Sequence, residues 1–347
     1  MSNTADAYTQ AGVNLDEADD AKLRMREAVH ETHIPGVLGG LGHFGGLFDI
    51  SVLDMSQPVL VSSIDGVGTK LKVAFALNRH ASVGADLVAH CVDDILVCGA
   101  RPLFFLDYLA LGKMDADQAV EVVRGVAEGC RAAGCALIGG ETAAMPGFYA
   151  AGEYDLAGCI VGVVERSRIV TGEAIRAGDV AIGFPSLGLH TNGYSLARQV
   201  FDGDDLGQFV PDVGRTLGDE LLQPHRNYLP AVTPLLDADV VTGMAHITGG
   251  GLVDNLPRVL PDGLAITLDA TTWDILPIFH LIHQRGEIAW GEMQRIFNLG
   301  LGYIVLCRAA DADRALALAS AQGGRRVGVI HEQQPGESRV YVEGLPA

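Results

Sequence analysis

Val59-Leu-Val-Ser-Ser-Ile-Asp-Gly-Val-Gly-Thr-Lys-Leu-Lys72 is the stretch on which the reading turns. Val59, Leu60, Val61 and Ile64 read as an apolar, β-branched strand that runs into the acid Asp65. Gly66 and Gly68 leave the backbone bare, and Thr69 and Lys70 follow. A strand that ends in a carboxylate, a glycine turn and a cation offers a metal ligand, free N–H groups and positive charge together. Phosphate bound with Mg²⁺ needs those three things. The plainer alternative is a hairpin turn with a solvated Asp and Lys. Recurrence further along the chain favours the first reading: Ala136, Leu137 and Ile138 lead through Gly139 and Gly140 to Glu141 and Thr142. Lysine occurs only at Lys22, Lys70, Lys72 and Lys113, and two of these lie beside Asp65.

Outward from that strand, residues 83–98 read as a helix with an apolar stripe of Leu87, Val88, Cys91, Val92, Ile95 and Leu96, stopped by Gly99 and Pro102. Asp86, His90 and Asp94 are spaced i, i+4, i+8 and share one face. Carboxylates crowded there repel by about 4 kcal/mol at ~4 Å and an effective dielectric near 20. A divalent cation would offset that cost at Asp94, whereas Asp86 reads as a solvated acid. A strand over 103–110, a helix opened by the Asp115/Gln118 capping box, and strands over 136–140 and 155–165 complete an N-terminal sheet with helices on one face. Residues 39–46 contain a G-x-G-x-x-G match at Gly40, Gly42 and Gly45, but no strand precedes it and a strand is expected over 47–53. The dinucleotide reading is therefore rejected in favour of a ligand-covering loop.

Residues 168–347 form a second unit of alternating strands and helices, with strands expected over 179–184, 264–268, 302–307, 327–330 and 340–342. Two of its loops contain glycine and lead into helices, Leu189-His-Thr-Asn-Gly-Tyr-Ser195 and His246-Ile-Thr-Gly-Gly-Gly-Leu252. Their hydroxyl and N–H donors suit an anion. His190 and His246 are candidates for phosphate contact or proton transfer, although a loop histidine is more often structural. The Walker-A order is absent, since Thr69 precedes Lys70.

A chain of 347 residues implies two domains, here 1–167 and 168–347. No apolar run approaches the roughly 18–20 residues of a membrane span, and the polar start lacks a signal-peptide layout. A cytoplasmic protein is expected. The net charge of −19 argues against nucleic-acid and anionic-membrane surfaces, so a phosphorylated ligand must rely on local devices. The six cysteines include no C-x-x-C pair and read as buried free thiols.

In their order and spacing these motifs resemble the phosphoribosylformylglycinamidine cyclo-ligase (aminoimidazole ribonucleotide synthetase) family nearly end to end. The resemblance runs through Tyr8-Thr-Gln-Ala-Gly-Val13, Asp65 to Lys70, Cys91 to Tyr108, Gly139-Gly-Glu-Thr142, Met145-Pro-Gly147, Gly188 to Leu196, His246 to Pro261 and Phe297-Asn-Leu-Gly300. It implies a two-domain α+β fold, with an N-terminal ATP/Mg²⁺-binding and dimerisation domain and a C-terminal α/β sandwich-like domain supplying substrate loops. It also implies a homodimer and ATP-driven ring closure of formylglycinamidine ribonucleotide. On this reading Asp65, Asp94 and Glu141 hold Mg²⁺, and Lys70, His190 and His246 are the catalytic set. Gly66, Gly68, Thr69, Thr142, Asn192, Ser195, Thr248, Gly249, Gly250 and Gly251 contact ATP or substrate. The chain departs from the family pattern at Asp93, Cys98 and Ala144, and Arg26 stands where some members carry a lysine near the nucleotide. A small-molecule kinase of the same superfamily or a non-catalytic nucleotide-binding subunit are the alternatives.

Overall fold

The computed structural model describes residues 7–40, 42 and 44–346. The chain divides into two compact units, one running up to Ile95 and including Arg101–Glu165, the other made of Leu96–Ala100 and everything from Arg166 onward. The first is built on a four-stranded sheet in the order Pro58–Gly66, Tyr154–Glu165, Arg101–Leu111, Ala136–Ala144. The first three strands are antiparallel neighbours and the last pair is parallel. The strands therefore extend past the expected limits, and Glu141 lies within its strand instead of ending it.

One face of this sheet carries the helices Ala81–Leu96 and Ala116–Ala133. The expected stripe of the first helix is buried throughout, from Leu87 to Leu96. The two helices cross through small residues: a Cβ on Gly125 would lie 1.9 Å from the Ala81 carbonyl oxygen, and one on Gly84 2.4 Å from that of Val122. Asp115 caps its helix by accepting from the Gln118 N–H. The reciprocal half of the capping box is not made, because the Gln118 side chain donates to the Gly152 carbonyl instead. The other sheet face stays open, with Leu60, Ile64 and Tyr108 at 57%, 73% and 40% exposure. Register puts Leu60, Ile64 and Tyr108 on the same side. The expected strand over 47–53 is reduced to Leu47–Phe48 and a 3₁₀ turn at Ile50–Val52.

The second unit holds a six-stranded sheet in the order Val241–His246, Leu301–Cys307, Val180–Pro185, Arg325–Glu332, Leu264–Asp269, Val340–Glu343. Both faces are covered. Ile182, Phe184, Tyr303 and Val305 pack toward Leu229–Asp237 and Ala312–Ala319, while Ala181, Ile304 and Leu306 join Leu252, Leu256 and Trp273 on the other side. That alternation explains why these strands read as continuous apolar runs. Gly125→Ala should lower Tm by several degrees, since overpacking a backbone contact costs about 1–3 kcal/mol. An unchanged melting curve would contradict the crossing described.

Candidate active site

The helix Ala81–Leu96 and the Pro58–Lys70 segment are joined by a ladder of three polar contacts. Asp86 Oδ2 lies 2.6 Å from Lys70 Nζ, His90 Nε2 2.9 Å from Asp65 Oδ2, and Ser63 Oγ donates to Asp94 Oδ2 at 2.9 Å. The i, i+4, i+8 face of the helix thus meets Lys70, Asp65 and Ser63 in turn. Two expectations change. Lys70 and Asp86 are both fully buried, so Asp86 is no solvated acid and the Lys70 ammonium is not open to a polyphosphate. Burial lowers the Lys70 pKa, against the opposing charge and hydrogen bond of Asp86. Lys72 is likewise engaged, by Glu153 at 2.7 Å.

Asp65 is half-buried, and its carboxylate accepts from the Gly66 N–H at 2.7 Å as well as from His90. Burial alone would raise its pKa, but the hydrogen bond and charge of His90 and the Gly66 N–H outweigh burial and the nearby Asp94 charge. The group is held below the ordinary carboxylate value. Asp65 and Asp94 therefore lie close together, with His90 bound to the first of them.

Glu141 does not join them within one chain. The register runs Asp65, Gly158, Asp107, Gly140 across the four strands, so the two acid-bearing segments occupy opposite edges of the sheet. Three strand spacings make that about 14 Å, and alternation points Asp65 and Glu141 to opposite faces. Glu141 and Thr142 instead line a cavity of about 700 Å³ with Lys22, Arg26, Gly40 and Gly45. The rejected dinucleotide motif is thus a cavity wall. Gly68 and Thr69 are exposed, on the turn that follows Gly66.

In the second unit His190 and His246 are brought together by His225. His190 is buried at φ 64°, and its ring stacks on His225 with centroids 4.2 Å apart. His225 Nε2 lies 3.1 Å from His246 Nε2, and its Nδ1 lies 3.2 Å from Thr191 Oγ1. One of the two facing nitrogens must donate and the other accept, so the pair holds one proton between them. The loop of Asn192 reaches that of Thr248: a Cβ on Gly249 would stand 3.3 Å from Asn192 Oδ1. Ser195 is exposed on the first turn of Tyr194–Val200, and Gly250 and Gly251 take positive φ at the start of Gly251–Asn255. Both helices are shorter than eight residues, so anion binding here depends on individual donors rather than on an extended helix dipole.

Residues 48–164 match the AIR synthase related protein N-terminal domain, and residues 176–341 its C-terminal domain. The chain is 52% identical to the phosphoribosylformylglycinamidine cyclo-ligase of Desulfitobacterium hafniense, over 88% of this chain and 91% of that protein. It is 47% identical to that of Oleidesulfovibrio alaskensis, over 98% of each. The chain belongs to the phosphoribosylformylglycinamidine cyclo-ligase family. Solved structures share its fold at low identity. They include thiamine-monophosphate kinase from Stenotrophomonas maltophilia (TM-score 0.66, 22% identity, 94% of this chain and 97% of that one). Hydrogenase maturation protein HypE in complex with ATP gives TM-score 0.61 at 17% identity, covering 93% and 91%.

Two asparagines that hold the family's loops in shape were not anticipated. Asn255 Nδ2 donates to the Gly251 carbonyl at 2.8 Å and its Oδ1 accepts from Thr248 Oγ1. Asn298 Oδ1 accepts from Ser186 Oγ and the Gly300 N–H, both at 2.9 Å, while its Nδ2 donates to the Gly188 carbonyl. Asn298 lies in the quoted Phe297–Gly300 motif; no sequence signal marks His225. Asp86→Asn should cost about 3–5 kcal/mol by removing the carboxylate that offsets a buried ammonium. Adding Lys70→Met should recover most of that loss in urea unfolding; strictly additive losses would contradict the coupling.

Proposed function

We propose that this chain uses ATP to close the imidazole ring of aminoimidazole ribonucleotide from formylglycinamidine ribonucleotide, acting in the cytoplasm as a homodimer. The γ-phosphoryl group of ATP passes to the formyl amide oxygen, the amidine nitrogen attacks the activated carbon, and phosphate leaves with that oxygen. Family membership at 46–52% identity over most of the chain is the observation that carries this reading. Chemistry of this kind depends on positioning and charge neutralisation more than on a covalent nucleophile.

The donor set at Asp65 and Asp94 fits Mg²⁺: two neighbouring carboxylates, one held ionised by His90, offer hard oxygen ligands. Mg²⁺ held there would offset the charge of a phosphate group bound at that edge of the sheet. The cavity beside Arg26 suits the nucleotide, with Glu141, Thr142 and the glycines Gly40, Gly42, Gly45 and Gly46 around it. Gly66, Gly68 and Thr69 remain candidates for phosphate contact on their open turn. In the second unit, Asn192, Ser195 and Thr248 to Gly251 supply donors for substrate phosphate. The His190, His225, His246 cluster supplies a path for the proton released on closure.

Purified protein with ATP, Mg²⁺ and formylglycinamidine ribonucleotide should yield the aminoimidazole product; a phosphorylated acceptor without ring closure would overturn the reading. Asp65→Asn and Asp94→Asn should abolish turnover with the fold intact, and near wild-type activity at limiting Mg²⁺ would refute the metal assignment. The open sheet face with Leu60, Ile64 and Tyr108 supports a two-fold dimer through the first unit. Light scattering at micromolar concentration should give twice 36.5 kDa. Ile64→Lys should shift the mass toward the monomer, and a monomeric wild type would exclude the dimer.

A further inference from the structure

Asp107 is a buried acid that neither the metal pair nor the histidine cluster employs. It lines the cavity, at 9% exposure, in the middle of the Arg101–Leu111 strand. Its carboxylate lies over the bare Cα of Gly140, where a Cβ would come within 2.1 Å of Oδ1. No hydrogen-bond donor or cation of another described residue meets that carboxylate, and burial pushes its pKa up to about 7. An acid so placed gains from any ligand that brings a donor.

The remaining walls indicate what such a ligand looks like. Besides Asp107 and Glu141 the lining includes the apolar Met25, Val29, Val123 and Leu137 and the exposed cations Lys22 and Arg26, the last two on the helix Leu15–His30. A molecule that combines a flat apolar body, an amine and anionic groups matches that set of walls. We propose that Asp107 reads the base of the nucleotide, its carboxylate accepting a hydrogen bond from the exocyclic amine of adenine. This rests on the reading of the cavity as the nucleotide site. It adds a specificity residue, and it gives a reason for glycine at position 140, where any side chain would displace the carboxylate.

The test is calorimetric titration of the full-length protein with ATP, with purine riboside triphosphate, which lacks the amine, and with GTP. Wild type should bind ATP about tenfold more tightly than the amine-free analogue; equal affinities, or tighter binding of GTP, would overturn the proposal without any variant. Asp107→Ala should bring ATP down to the level of the analogue and leave the analogue unmoved. Asp107→Asn, whose amide oxygen still accepts, should keep most of the preference. Equal weakening of both ligands by Asp107→Ala would mark a merely structural role and refute base reading. Arg26→Ala separates the two claims, since it should weaken both nucleotides alike. If it does so while Asp107→Ala changes nothing, base reading alone fails. If neither variant has an effect, the nucleotide lies elsewhere and both readings fail.

Discussion

The buried contact between Lys70 and Asp86 is the constraint from which the first unit's chemistry follows. Two charges taken wholly out of water are stable only in close company, and their 2.6 Å separation supplies it. The pair fixes the glycine turn after Asp65 against the helix Ala81–Leu96. Once that end is fixed, the 3.6-residue period brings His90 to Asp65 and Asp94 to Ser63. The acid pair is thus held in place by a neighbouring ion pair that itself has no access to ligand. The lysine expected to touch phosphate acts instead on the geometry of the carboxylates.

The same arrangement explains how a chain of net charge −19 can handle a polyanion. Asp86 is offset by Lys70, Glu153 by Lys72, and Asp65 accepts from His90. In the second unit the asparagine clamps at Asn255 and Asn298 shape the loops that carry Thr248 and His190 without adding charge. Repulsion from the protein as a whole is screened within roughly 8–10 Å at physiological salt, so local donors decide binding.

Much of this was legible in the residues. Apolar alternation and turn chemistry located most of the strands and helices, though not the strand Val241–His246 or the helix Leu71–Leu77, and the ordered motifs pointed to the family. Partnership was less legible. Asp65 and Glu141 share a local design, an apolar strand passing glycine to an acid. Strand order, a long-range property, puts them on opposite edges of one sheet. Asp86 looked like a solvated acid because its burial depends on Lys70, sixteen residues earlier and outside any helical window. His225 had no glycine or motif beside it, and only the fold stacks it on His190 and sets it edge-on to His246. The G-x-G-x-x-G match follows a short strand, Val37–Leu38, that its surroundings did not announce, but it leads into the strand Leu47–Phe48 and not a helix, and its glycines line the cavity.

The most direct test of the central claim follows one oxygen atom. Formylglycinamidine ribonucleotide labelled with ¹⁸O in the formyl amide is turned over with ATP and Mg²⁺, and the inorganic phosphate is analysed by mass spectrometry. Activation of the amide oxygen by phosphoryl transfer predicts one ¹⁸O atom in each phosphate released. Unlabelled phosphate, with the ¹⁸O appearing in water, would contradict the account.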